Sequence, residues 1–337
     1  MEKKIKITTI KKLALEIIHN QGYDKKESEQ IFDMRLYAQL RGNDHGFVGL
    51  FGWNPDKDRT AGQITIVRET KLSALIDGNA NSAITVMQKA TDIAIQKAKK
   101  SGFGIVGAKR TYNSTGAIGY YVKQIAQHNL IGMTFSGCDA YVAPFDSNEA
   151  IFGSNPMAVG LPTLKDPVVL DFATTDMTWH DLTEQNILNK KLAPGRGYDK
   201  SGKPTLEPKA VMAQGASRIF DNTYKGSGLS FIIETLTGPL VQAAAFGILD
   251  EEADWGNLVI AIDPELLVDI KDFKKNMTKL IKRFKGARKL KGVKELFYPG
   301  ERGNRMAARC LRQRIVEIEE ELLEKMMAEA QPPSGFE

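Results

Sequence analysis

One glycine triplet constrains this chain more than any other feature, because its surroundings are inverted. The stretch SGFGIVGAK, Ser101 to Lys109, carries Gly102-x-Gly104-x-x-Gly107. That spacing matches the fingerprint with which a strand–turn–helix unit holds a dinucleotide pyrophosphate. The fingerprint needs a strand before its first glycine and a helix opening inside the motif, so that free N–H groups face the phosphates. Here Asn81 or Ser82 caps a long helix to about Lys100, so a helix comes first, and FGIVGAK itself reads as a short strand. Gly102 is then a helix C-cap, with Gly104 and Gly107 in the turn and strand beyond it. Any dinucleotide must be held by other means.

Around this point the chain alternates. Ile10, Leu13, Ile17 and Ile18 recur at helical spacing over about Thr9 to Asn20, and a second helix starts at Asp24 and runs to Gly42. RGNDHGFVGLFGWNPDKD reads as loop, GQITIVRET as a strand, STGAIGYYVKQIAQHN as a helix and LIGMTFSG as a strand. SNEAIFGSNPMAVGLP reads as loop and PVVLDFATT as a buried strand. LNKKLAPGRGYDKSGKPTLEP has turn chemistry throughout, YKGSGLSFIIETLTG opens a buried helix, and NLVIAID is another strand. Pro264 to Lys294 is a basic helical stretch, VEIEEELLEKMMAEA is acidic and amphipathic, and QPPSGFE is a loose tail. The alternation predicts an α/β protein with a layered core.

Composition narrows the function classes. The 337 residues suffice for two domains, with 42% hydrophobic and 26% charged residues as in ordinary soluble proteins. A formal charge of +5 is mild for this length and gives no reason to expect nucleic acid. The basic stretch Lys271 to Lys294 reads as a solvated helix face; its aromatics, Phe273 and Phe284, are too few for a stacking platform. The two cysteines, Cys138 and Cys310, have no metal-like spacing, so no metal site is expected and a reducing compartment is. No segment is an apolar run of membrane-spanning length and the N-terminus is not a secretory signal, so the expected location is the cytoplasm.

Few residues can carry proton chemistry. His19 and His128 sit near helix C-termini, where imidazolium suits the helix dipole. His45 lies in the glycine-rich loop between Asp44 and Gly46, expected to be exposed, with a neighbouring carboxylate that raises its proton affinity. His180 follows a buried strand, at an end where α/β proteins bind ligands. In NTYKGSG, Lys225 and three small residues open a helix, a combination suited to carboxylate or phosphate. Asn155, before Pro156 in FGSNP, points to backbone geometry rather than chemistry. PGERGNR places Gly300, Glu301, Arg302 and Arg305 in a charged loop able to meet a ribose or phosphate.

The segments LRGNDHG, NSTGAIGYY, FGSNPMAVGLP, VVLDFATT, YKGSGLSFIIETLTGPL and PGERGN follow one another from about Arg41 to Asn304. In that order they resemble the malate/L-lactate dehydrogenase family of NAD(P)-dependent oxidoreductases. The resemblance implies a non-Rossmann layered α/β fold: a mixed sheet with helices, plus helical N- and C-terminal segments. Residues 1–75 would carry the catalytic loop and pack with helices of 290–337, while 76–289 would form the dinucleotide-binding domain. It further implies a homodimer, an extended dinucleotide (NAD, with NADP as the alternative), and hydride exchange with a small 2-oxo or 2-hydroxy acid. Cofactor contacts would fall on Ser136, on Asp171, Ala173, Thr174 and Thr175, on His180, on Tyr224 and Lys225, and on Gly300, Glu301 and Arg302.

The same resemblance makes His45 the acid/base residue. Asp44 stands where the family usually has serine, Gly49 where it has a carboxylate-gripping arginine, and Ser114 where it has a second histidine. Asp44 would then orient His45, Lys225 or Arg41 would take the substrate carboxylate, and Asn113 and Ser114 would hydrogen-bond the substrate. Malate and oxaloacetate are the expected pair. A cyclic imino acid reductase and a non-catalytic dinucleotide-binding protein are the alternatives.

Overall fold

The computed structural model describes residues 2–43, 45–52, 55–187, 189–245 and 254–330. Strand β1 (Glu2–Lys6) leads into helices α1 (Ile7–Asn20) and α2 (Lys25–Gln39). There follow β2 (Thr65–Glu69), β3 (Ser73–Asp77), α3 (Ala83–Ser101), β4 (Phe103–Thr111), α4 (Gly119–Gln127) and β5 (Ile131–Ser136). The middle holds β6 (Val142–Ala143), β7 (Met157–Leu161), β8 (Val168–Phe172), α5 (Trp179–Ile187), β9 (Gly197–Tyr198), α6 (Pro208–Met212), β10 (Ala216–Arg218) and α7 (Tyr224–Thr237). Last come β11 (Trp255–Ile262), α8 (Ile270–Lys285), α9 (Glu301–Gln313), β12 (Ile315–Glu319) and α10 (Glu320–Glu329).

Seven strands form one mixed sheet in the order β2-β3-β4-β11-β5-β7-β8, with β3 and β4 parallel and the other neighbours antiparallel. Its central strands are apolar on both faces. Val106, Ala108, Val259 and Ala261 pack with Val86, Ala90 and Ala94 of α3 and Ile125 of α4. The alternate residues Ile105, Leu258 and Ile260 pack with Ile233 of α7 and Val241. A strand covered on both sides reads as an unbroken apolar run, which is why NLVIAID stood out in the sequence. Each large aliphatic side chain buried here contributes about 1.5–3 kcal/mol.

The glycine triplet serves this packing. Gly102 closes α3 with φ +80°, a conformation that favours glycine. Gly104 and Gly107 both lie in β4. A Cβ on Gly104 would run into the Ala94 carbonyl of α3, and one on Gly107 would come within 2.7 Å of Val241. The motif brings a helix close to a strand.

A second unit forms at the chain ends. Ile10, Ile18, Phe32 and Met34 from α1 and α2 share a core with Phe47, Leu50, Ala307, Cys310, Val316, Ile318 and Met326. Strand β1 pairs antiparallel with β12, Lys4 opposite Glu317. A small lobe, built on β6-β10-β9 with α5 and α6, buries Tyr141, Phe152, Leu182 and Val211.

Several local expectations fail. SNEAIFGSNPMAVGLP, read as loop, contains β7, because its alternating small residues fit between β5 and β8. VEIEEELLEKMMAEA opens as strand β12 before it turns helical, because β1 supplies a pairing partner from the far end of the chain. PGERGNR is not a loop: Gly300, at φ +82°, precedes α9, and Glu301, Arg302 and Arg305 lie on that helix. Helix α7 is only half buried, with Tyr224, Phe231 and Ile232 exposed. Asp44 and the tail after Ala330 lie outside the described residues.

Candidate active site

The loop that carries His45 is braced from α2 and from the C-terminal strand. Gln39 accepts from Phe47 N at 3.0 Å through Oε1 and donates to the Glu317 carbonyl of β12 at 2.8 Å through Nε2. Asn43 Oδ1 accepts from His45 N at 2.9 Å. A short 3₁₀ turn, Phe47–Phe51, then buries Phe47 and Leu50 as an anchor. His45 is half-buried rather than exposed. Desolvation, then the Arg35 charge and His180, push its imidazole down to about 4, against an upward pull from Asp181. This corrects the expectation of a raised proton affinity: the ring is neutral at neutral pH and able to accept a proton.

Arg35 was not among the sequence candidates. It lies in α2 on the stripe of Ile31, Phe32, Met34 and Ala38, and is itself only 8% exposed. Its Nη1 donates to the His45 carbonyl at 3.1 Å. Nε has no acceptor. No carboxylate pairs with the guanidinium among the described residues. Burial, partly offset by Tyr121 and Tyr23, holds its pKa down to about 10. The available signal was an arginine at a helix position whose neighbours at i−4 and i+3 are both apolar.

The other sequence candidates fall into four places. Asn113, at φ +58°, is buried where β4 ends; its Nδ2 donates to the Tyr23 hydroxyl at 3.3 Å and its Oδ1 accepts from Ser82 at 3.3 Å. Through Tyr23 it adjoins Arg35. Ser114 Oγ accepts from Gly116 N at 3.1 Å. His180 and Asp181 belong to α5, close enough to act electrostatically on His45.

Arg41 turns elsewhere. Its guanidinium lies 3.8 Å from the Tyr37 ring centre, and it donates to the Tyr37 carbonyl at 2.9 Å and to Asn304 Oδ1 at 3.4 Å. Arg35 and Tyr37, two residues apart, leave α2 on opposite sides, so Arg41 is placed away from His45. Asp171 belongs to this second group: Oδ2 accepts from Gly119 N at 2.8 Å. The packed surroundings of its carboxyl push it up to about 6, although the residue keeps an open outer edge. Gly300 packs on the backbone of Val169. Glu301 is committed to Lys285 and Arg305, each at 2.6 Å, and Arg302 lies over Phe297.

A buried polar network lies under α7. Thr174 Oγ1 donates within a cluster of Ser154, Asn155 and Ser230. Asn155, at φ +41°, donates from Nδ2 to Ser230 and, at 2.6 Å, to Glu234. Thr175 bonds Met177 O and Ser217. Ser136 Oγ, Asn155 Oδ1 and Asn257 Oδ1 are buried and unpartnered.

At the start of α7, the free N–H groups expected for an anion are already used. Thr223 accepts from Lys225 N at 3.1 Å and Asp221 from Gly226 N at 3.2 Å, so a carboxylate of this chain caps the helix. Tyr224 (70% exposed) and Lys225 remain open to solvent. His128 is also corrected: Lys99 lies 3.0 Å from its Nδ1, and desolvation and that charge lower its pKa. Among the described residues no group of His, Cys, Asp and Glu could hold a metal, and no helix is long and apolar enough to cross a membrane.

A sheet-centred α/β core is joined to a helical unit whose loop holds a neutral histidine beside a buried cation, and comparison with known proteins makes the chain a dehydrogenase. The chain belongs to the malate/L-lactate dehydrogenase family, which it matches over residues 5–327. It is 32% identical over 326 residues to a malate/(S)-sulfolactate dehydrogenase of Methanothermus fervidus, spanning 93% of both chains. Its fold superposes on a sulfolactate dehydrogenase of Methanocaldococcus jannaschii with TM-score 0.80 at 28% identity, over 97% of this chain and 96% of that one. It also superposes on a malate dehydrogenase of Entamoeba histolytica with TM-score 0.86 at 24% identity, over the whole of both chains. The expected layered fold and dehydrogenase class therefore stand.

Proposed function

We propose that this chain interconverts a 2-hydroxy acid and its 2-oxo acid, malate and oxaloacetate foremost, with NAD as hydride partner. The observation that carries the reading is the neutral His45 imidazole held beside the buried Arg35 guanidinium. A base must be unprotonated to take the hydroxyl proton as the C2–O bond becomes a carbonyl, and His45 meets that condition at neutral pH. In the reverse direction the same nitrogen returns the proton. Ser114 would bond the substrate from beyond the end of β4, with Asn113, held by Tyr23 and Ser82, shaping the turn that carries it.

When bound, the nicotinamide supplies the hydride acceptor. The groups fit an extended dinucleotide in part. Tyr224 and Lys225 are open, Asp171 has an open edge, and His180 lies near His45. The Thr174 and Thr175 hydroxyls and the Glu301 carboxylate are spent internally, so they shape the wall and do not grip the ligand. The exposed apolar side chains Phe231, Ile232 and Leu240 support a homodimer through α7.

The test is NADH oxidation followed by absorbance as oxaloacetate, pyruvate and a cyclic imino acid are added in turn. Turnover with oxaloacetate is expected, and His45→Ala is expected to lower kcat by about 10² or more. Turnover with the cyclic imine alone, or normal turnover in the variant, would refute the reading.

A further inference from the structure

We infer that Arg35 is the anion-binding group of this site and takes the carboxylate of the 2-oxo acid. The inference rests on the function proposed above. Four observations converge on it.

First, the guanidinium is buried and no acid pairs with it among the described residues. Burying an unpaired charge costs several kcal/mol, and one hydrogen bond to a carbonyl does not offset that. Second, the one bond it makes, Nη1 to the His45 carbonyl, ties it to the residue that moves the proton. Nε and Nη2 meet no acceptor among the described residues, and two donors on one side of a planar fork match a carboxylate. Third, the space over Gly49 has been given to this side chain. A Cβ at residue 49 would overlap Nη1 and come within 3.0 Å of Nη2, so only glycine lets the guanidinium lie there. Fourth, the surrounding hydroxyls of Tyr23 and Tyr121 act on the charge without neutralising it, so the positive field persists until an anion arrives. The other cations proposed from the sequence are occupied or distant: Arg41 is stacked on Tyr37, and Lys225 is exposed on α7.

The geometry also allows a rescue. Cutting back Arg35 clears the space a Cβ at residue 49 would need, and residue 49 is where the family resemblance puts a carboxylate-gripping arginine, so Gly49→Arg can offer a guanidinium to the same ligand from another wall. The experiment compares wild type, Arg35→Ala, Arg35→Lys and Arg35→Ala/Gly49→Arg. Oxalate binding to each NADH complex is measured by calorimetry, with NADH affinity and the KM for oxaloacetate alongside. Oxalate is a planar carboxylate probe that needs no turnover.

Arg35→Ala is expected to weaken oxalate and raise KM by about 100-fold, with NADH affinity unchanged, and the double variant to recover at least about tenfold of the loss. Arg35→Lys should fall between, since a point charge cannot bond in a fork. Failure of oxalate to bind wild type would overturn the inference, as would unchanged oxalate binding in a folded Arg35→Ala. Parallel loss of oxalate and NADH affinity in Arg35→Ala and Arg35→Lys, without recovery in the double variant, would reduce Arg35 to a loop strap and overturn it too. If wild type binds oxalate through Arg35 yet turns over no 2-oxo acid, the proposed reaction fails while the anion site stands.

Discussion

His45 makes the protein sensitive to acid, and the size of the effect follows from its surroundings. The imidazole is pushed from 6.5 to about 4 in the fold. The unfolded chain therefore binds this proton more readily than the native one, and stability falls as pH drops below 6.5 until the folded group also titrates near 4. A displacement of about 2.5 units at 1.36 kcal/mol each gives about 3 kcal/mol in full, of which about 1.4 kcal/mol is lost by pH 5.5. His45→Gln removes the titration while keeping a polar side chain. Urea unfolding of both proteins at pH 7 and pH 5.5 should show wild type losing about 1.2 kcal/mol more than the variant, since about 0.2 kcal/mol is already lost at pH 7. Asp171, raised to about 6, works in the opposite sense, gaining as pH falls through that value, but it is common to both proteins and cancels. Equal losses in the two proteins would mean that His45 is as solvated as in the unfolded chain. The base-ready imidazole would then have no structural cause.

Further tests address other parts of the fold. Gly104→Ala, whose Cβ meets the Ala94 carbonyl, should lower the unfolding free energy by about 2 kcal/mol while the folded fraction binds NADH normally; weakened NADH binding would restore the glycine motif as a cofactor site. Lys225→Ala should weaken NADH several-fold with an unchanged Tm, since the side chain is exposed; an unchanged NADH affinity refutes its role. Gly160→Ala places a Cβ against the Val122 carbonyl of α4, a backbone atom that cannot rotate aside, and should cost about 2 kcal/mol in the same urea assay, whereas a neutral result would show that α4 can withdraw from β7.

The core was legible in the sequence wherever local pattern and tertiary environment agreed. NLVIAID is apolar on both faces because helices cover both faces, and Gly102 closes α3 as its position after a helical run implied. Pairing from a distance was not legible. Nothing near VEIEE announces that residues 2–6 will lie beside it. The site followed the same rule. His45 was visible because a histidine in a glycine-rich loop is chemically conspicuous. Its protonation was misjudged, because the causes are burial of the loop first, then the charge of Arg35, ten positions upstream, and His180, far downstream. Arg41 was offered as a carboxylate partner and Arg35 was not considered, yet Arg41 stacks on Tyr37 while the arginine on the apolar stripe of α2 turns toward the loop.

The bond from Gln39 to the Glu317 carbonyl has a consequence for biosynthesis. The same amide that steadies the His45 turn is itself held by one of the last strands to leave the ribosome. The central sheet ends with β11, and residues up to Ile262 can assemble it before that strand exists. A nascent chain can thus build its layered body before the strand that braces the His45 loop has been made. Translation arrested anywhere before Glu317 leaves a body without that brace.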